Sequence, residues 1–298
     1  MKQRRNRNPL RSKSEGYLRS IVVCAALAFF LLFFLLPIFV VLIGSFHKWN
    51  PLQGQFRFIG LTNWKKAFSS DLFWRSMGNT FYFAAIATIF RVVLGLALAS
   101  ALFSKLIRHK TLYRVLYYLP TITPMVAVAF VWKFIFDPQI GLLDQILNSQ
   151  INWLFDSRYA MIAILLLTIW KDFGYSVIIL LGGMYALPRD CYEAAEMDGA
   201  SAWQRFRSLT LPLLKPTIIF IVITSLISYF QTYIPVMVLT QGGPGTQTYL
   251  ASYLIYDQAF VKYNFGYASA LSFVLFAFIA LLTLLSFRAS GKSQEWGA

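Results

Sequence analysis

Two ionisable residues stand side by side inside an apolar stretch, in Trp170-Lys171-Asp172-Phe173-Gly174-Tyr175. Charge at membrane depth is expensive and is expected to face a cavity or a partner. Neighbours on a helix point about 100° apart. Lys171 and Asp172 are therefore expected to meet other helices or a ligand, not each other. A second polar run, Thr224, Ser225, Ser228, Tyr229, Gln231, Thr232 and Tyr233, interrupts a later apolar stretch. Hydroxyls, amides and aromatic faces suit a sugar, which needs donors, acceptors and a flat apolar surface. Packing between membrane helices also uses Ser and Thr, so each position has a bland alternative. Arg91 sits in another apolar run, followed by Gly95. At that depth it should pair with a neighbour, an acidic or carbonyl group on a partner chain being one option.

Catalytic chemistry finds little support. His47 and His109 fall at the ends of apolar runs, and no His/Asp/Glu cluster is expected at membrane depth. Cys24 and Cys191 have no metal-ligand spacing and are not expected to pair. The chain has no phosphate-binding glycine loop, so any ATP must be handled by another subunit.

The elements that must position these groups are membrane helices. Of 298 residues, 58% are hydrophobic and 13% charged, against about 25% charged in a soluble domain. A span needs about 20 apolar residues, and lipid leaves the backbone no partner outside a helix. Six spans are expected, at about 21–46 (kinked at Pro37), 80–103, 112–136 (interrupted by Pro120 and Pro124), 160–187, 213–239 and 268–287. The fold class is thus all-α and polytopic. The first run is too long for a cleaved leader and is expected to be retained. Residues 1–19 form a basic tail, 20–288 the transmembrane domain and 289–298 a second tail.

The net charge of +15 is spread over short loops and offers no continuous nucleic-acid-binding face. One set of loops and both tails carry 17 Lys and Arg, and the opposite loops carry 8. The basic side is expected to be cytoplasmic, giving an N-in, C-in topology. Trp49, Trp64, Trp74 and Trp153 then fall outside as interfacial anchors. Gly141–Asn148 reads as a short amphipathic helix on the outer surface, and Gly242-Gly243-Pro244-Gly245 as a tight external turn.

One loop, 188–212, is no simple connector. Pro188 can open a helix, and Asp190, Glu193 and Glu196 match its dipole. Gly199 is the left-handed terminator. Ser201 and Gln204 make a capping box for a second helix, which Pro212 closes. Ala194 and Ala195 keep the first helix thin, fit for a groove on another protein.

Glu193-Ala194-Ala195, Gly199 and Leu209-Thr210-Leu211-Pro212 resemble the EAA loop of binding-protein-dependent ABC transporter permeases. The resemblance covers about 79–287. It implies the type I importer fold and a coupling helix seated in a partner ATPase, with Glu193, Ala194, Ala195, Asp198, Gly199, Leu211 and Pro212 in that role. It also implies an ATPase dimer that carries ATP and Mg²⁺, a second homologous permease and an extracytoplasmic solute-binding protein. Leu239-Thr240-Gln241-Gly242-Gly243-Pro244-Gly245, Tyr118-Leu119-Pro120 and Gly141-Leu142-Leu143 resemble the sugar-permease branch that includes the maltose and glycerol-3-phosphate importers. By that resemblance the substrate is a carbohydrate and its contacts are Trp170, Lys171, Asp172, Tyr175, Ser225, Ser228, Tyr229 and Thr232. Trp170, Tyr175 and Ser225 keep the family's residue type, and Lys171-Asp172 replaces less polar residues. The chain itself binds no cofactor and is no enzyme, and it resides in a prokaryotic cell membrane. An ion-driven transporter is the alternative, but the two halves show no convincing inverted repeat.

Overall fold

The computed structural model describes residues 9–104, 107–148 and 150–291. Residues 1–8 of the basic tail, Lys105, and 292–298 of the second tail, with Lys292, lie outside the described residues.

The chain opens with α1 (Pro9–Phe30), a π-helical segment (Leu31–Leu35) and α2 (Leu36–Ser45). The expected kink at Pro37 takes the form of this π segment. Proline offers no N–H and its ring crowds the preceding turn, so the helix accommodates it by widening just upstream. The same solution recurs at Pro212. There the helix α10 (Ala202–Arg205) passes through a π segment (Phe206–Thr210) into α11 (Leu211–Leu213).

The described residues are mostly helical, with one small hairpin added: His47–Asn50 (β1) and Gln55–Phe58 (β2) pair antiparallel, His47 opposite Phe58. Asn50 Oδ1 accepts from the backbone N–H groups of Leu52 and Gln53 at 3.1 and 3.2 Å, and Gly54 at φ 62° completes the turn. Four-residue strands give too little periodicity to be legible.

Then follow α3 (Thr62–Ser69), α4 (Asp71–Phe103), α5 (Lys110–Ile122), α6 (Met125–Ile135), α7 (Leu142–Leu147), α8 (Ala160–Tyr185) and α9 (Arg189–Met197). After α10 and α11 come α12 (Lys215–Phe230), α13 (Ile234–Leu239), α14 (Ala251–Tyr256), a π segment (Asp257–Val261) and α15 (Phe265–Gly291). Among the described residues, four helices are long and apolar enough to cross a membrane: Tyr17–Ser45, Asp71–Phe103, Ala160–Tyr185 and Phe265–Ser286. The count rises to six if each bent pair is one span. The third expected span is one such pair, with α5 and α6 meeting at 97° where Pro120 and Pro124 were expected to interrupt it. The fifth bends by 63° between α11 and α12 and breaks again at 231–233, so it is not a continuous helix over 213–239.

The core is a sandwich of α4, α8 and α12. Gly95 of α4 lets Ser176 approach so closely that a Cβ would lie 2.8 Å from the Ser176 Cβ. Gly174 of α8 faces the Tyr117 carbonyl of α5, where a Cβ would stand 1.8 Å from the oxygen. The first span is exposed along its apolar length, the condition of a helix bathed in lipid.

One outer feature differs from expectation. Trp153 is no interfacial anchor: it is buried, and its Nε1 donates to Asp144 Oδ1 at 3.0 Å, docking α7 onto the bundle. The tight turn expected at Gly242–Gly245 is present, and the segment that follows it is pinned to α4. Asn79 Nδ2 at the head of α4 donates to the carbonyls of Thr246 and Tyr249, at 3.0 and 3.1 Å.

Candidate functional site

The polar groups of the interior gather around Arg91. Its Nε donates to Ser176 Oγ at 2.9 Å. Its guanidinium carbon lies 5.0 Å from the centroid of the Tyr175 ring and 5.8 Å from that of Tyr229, within the reach of cation–π attraction. Asp172 is in the electrostatic field of Arg91 and Lys171, beside the Tyr229 side chain. Arg91 thus finds its partners inside this chain, on α8 and α12, with no need of a second subunit. Helix geometry explains the grouping: Arg91 and Gly95 are one turn apart on α4 and both meet Ser176.

Among the substrate candidates, Asp172, Tyr175 and Tyr229 converge on this cluster. Ser225 lies one turn before Tyr229 on the same face of α12. Both are buried; among the described residues the Ser225 hydroxyl has no hydrogen-bond partner, whereas the Tyr229 hydroxyl adjoins Asp172 and Arg91. An unsatisfied buried hydroxyl such as that of Ser225 costs about 1–3 kcal/mol.

The other four stand apart. Lys171 Nζ donates to the Thr121 carbonyl at 3.1 Å, and Thr121 Oγ1 returns a bond to the Lys171 carbonyl at 2.9 Å. Trp170 is exposed and packs against Trp132, ring centroids 5.5 Å apart. Ser228 is exposed, and its carbonyl accepts from Thr232 Oγ1 at 3.2 Å. Sequence reasoning saw Arg91 and Tyr175 separately but missed Ser176, an ordinary residue of an apolar helix. The one signal for it was the pairing of Arg91 with Gly95, which marks a close helix contact.

The second candidate site is the loop at 188–212. Pro188 stands at the N-cap of α9, one position earlier than a first-turn proline. Gly199 adopts φ 75°, and the exit is a Schellman motif, with Ala200 N–H donating to the Ala195 carbonyl and Gly199 N–H to Glu196. The capping box is formed: Ser201 Oγ accepts from Gln204 N–H, and Gln204 Oε1 from Ser201 N–H. Arg205 pairs with Glu196 at 3.2 Å across the turn, joining the two helices. Glu193, Ala194, Asp198, Leu211 and Pro212 are exposed and Ala195 is half-buried. Met197 and Trp203 are large apolar side chains left in solvent, 89% and 68% exposed. The knob thus presents uncovered apolar side chains at its tip.

Residues 91–291 match the family of binding-protein-dependent transport system inner membrane components. That is more than half of the chain, and the chain belongs to this family. It is 33% identical over 278 residues to the trehalose/maltose transport system permease protein MalF of Thermococcus litoralis, covering 91% of this chain and 92% of that one. It is 31% identical over 283 residues to the lactose transport system permease protein LacF of Rhizobium radiobacter, covering 92% and 94%. Among solved structures it superposes with a TM-score of 0.82 on a chain of a bacterial ABC transporter involved in the import of the acidic polysaccharide alginate. That match is 19% identical and covers 97% of this chain and 99% of the other, and it shows a shared fold.

Proposed function

We propose that this chain is one of two homologous transmembrane subunits of an ATP-binding-cassette importer, moving a carbohydrate inward by alternating access. A separate ATPase dimer binds ATP and Mg²⁺ and drives the cycle, and this chain binds no cofactor. An extracytoplasmic solute-binding protein delivers the sugar. The bilayer is the plasma membrane of a prokaryote, with six spans and both termini inside, in keeping with the 17-to-8 division of basic residues. The observation that carries the reading is the knob at 188–212, a thin helix, left-handed glycine and capped second helix with exposed Glu193 and Ala194. Glu193, Ala194, Ala195, Asp198, Gly199, Leu211 and Pro212 are its contact set for the ATPase.

The carbohydrate reading is supported by the polar grouping in the interior and by the sugars in the names of the relatives. Of the eight proposed contacts, Asp172, Tyr175, Ser225 and Tyr229 have the best geometry, since they share one cluster. Trp170, Lys171, Ser228 and Thr232 would serve from its margins. Substrate then biases inward-open and outward-open states only by contacting them differently. The test is uptake by the reconstituted complex across a panel of mono- and oligosaccharides, with and without ATP hydrolysis. Uptake of one saccharide that stops when hydrolysis is blocked supports the proposal. Uptake that persists under an ion gradient without ATP overturns it. ATP-dependent uptake of an anionic solute alone would keep the importer and remove the neutral sugar.

A further inference from the structure

Among the described side chains of α9, Tyr192 is the large one turned toward the bundle. Asp190, Cys191, Glu193, Ala194, Glu196 and Met197 are all exposed, whereas Tyr192 is half-buried and turned toward the bundle. Its ring lies 6.2 Å from that of Phe103, the last residue of α4. Its hydroxyl is 2.7 Å from Thr210 Oγ1, in the buried part of the π segment that leads into α11. Phe103 in turn meets Tyr185, the last residue of α8, edge to face with centroids 5.4 Å apart. Tyr185 accepts a hydrogen bond from Arg114 of α5 at 2.9 Å and lies under its guanidinium. Tyr192 thus meets the end of α4 through a ring and the π segment through its hydroxyl, and Phe103 links it on to the end of α8.

We propose that Tyr192, wedged on Phe103 and bonded to Thr210, is the positioning residue through which the 188–212 knob moves the ends of α4 and α8. The proposal rests on the importer reading above. A displaced α9 has a rigid aromatic contact to push on α4, and through Phe103 on Tyr185 of α8. The bond to Thr210 makes the two arms of the knob move together. The Arg205–Glu196 pair is more exposed and can hold the arms only loosely. Aromatic pairs of this geometry hold orientation as well as distance, which is what a joint between rigid helices needs.

The test uses the complete complex with its ATPase and solute-binding protein, measuring sugar uptake and ATP hydrolysis together. Phe103→Ala and Tyr192→Ala are expected to assemble, to continue hydrolysing ATP, and to lose at least about tenfold in sugar moved per ATP. Tyr192→Phe keeps the ring and should lose less, and Phe103→Leu should restore part of the coupling. Because the two residues act through one contact, the Phe103→Ala/Tyr192→Ala double variant should be no worse than either single variant. Wild-type sugar-to-ATP ratios in both alanine variants, or losses that multiply in the double variant, overturn the joint. If either alanine variant fails to assemble, Tyr192→Phe and Phe103→Leu decide, and an unchanged ratio in both counts against it. Failure of the importer reading is separately visible, as absence of ATP-dependent uptake in the wild type.

Discussion

Lys171 and Thr121 exchange two hydrogen bonds, the lysine ammonium to the threonine carbonyl and the threonine hydroxyl to the lysine carbonyl. Thr121 is the penultimate residue of α5, where the chain bends by 97° into α6. Its carbonyl is one of the last four of that helix, which have no partner within it. A cation at a helix C-terminus also meets the negative end of the dipole. Lys171 is therefore a cap on a broken helix in this conformation. Lys171→Met should lower stability by about 1.5–3 kcal/mol, the range of a hydrogen bond to a charged group, and Lys171→Arg should keep most of it. Thermal unfolding in detergent measures this. If instead the KM for sugar rises in Lys171→Met with stability intact, the residue is a ligand in the first place.

Two glycines predict opposite failures. At Gly174 a Cβ would lie 1.8 Å from the Tyr117 carbonyl oxygen, a backbone atom that cannot step aside. Gly174→Ala should separate α5 from α8 and abolish accumulation of folded protein in the membrane. At Gly199 a Cβ meets open space, and only φ 75° opposes it. The cost is about 1–2 kcal/mol for a left-handed residue, more for a β-branched one. Gly199→Val should accumulate normally, bind the ATPase poorly and block transport. Equal membrane levels for both variants with normal uptake would contradict the geometry of both turns.

Asp156 and Arg158 predict a narrow pH effect just before α8. The Arg158 guanidinium, 2.7 Å away, and the Arg158 backbone N–H hold the Asp156 carboxyl down at about 2. A carboxyl depressed in the folded state stabilises it above its unfolded value, about 3.9, and that contribution is lost as pH falls toward 2. The stability difference between wild type and Asp156→Asn should be constant from neutral pH to about 4 and shrink below it. The pair is exposed, so the effect should be small and weaken with salt. A difference that grows on acidification would rule the pairing out.

What was legible in the sequence was local. Gly199, Ser201 and Gln204 specify a turn and a cap within six residues, and they appear as read. Pro120 and Pro124 announce a break, because a proline removes a helical bond wherever it stands. The bond of Asn79 to the loop 167 and 170 residues away had no such signal. The joining of Arg91 to Ser176 across 85 residues was equally hidden, since in lipid every span is apolar all round and periodicity does not say which faces meet. The hairpin at 47–58 was hidden for another reason: its order comes from the Asn50 cap and Gly54, not from a pattern of burial, and β2 is exposed throughout.

Arg91 and Asp172 are each costly in a membrane interior, by about 2.5–3.5 kcal/mol on insertion scales, and the Arg91 charge lies near enough to act on the Asp172 carboxyl. Arg91→Met removes a charge but leaves Asp172 with Lys171 as its remaining cationic neighbour and Ser176 without its donor. Asp172→Asn leaves the guanidinium resting on the Tyr175 and Tyr229 rings and on Ser176, which softens the loss. Arg91→Met should therefore destabilise more than Asp172→Asn, and the double variant less than the sum of the two. Thermal unfolding of the three variants and the wild type closes the cycle. Uptake separates the roles further: Asp172→Asn should raise the KM for sugar by removing an acceptor for its hydroxyls, while Arg91→Met should act through stability alone. An additive cycle would show that the two residues do not sense each other, and the cluster would then be two independent sites on either side of Tyr229.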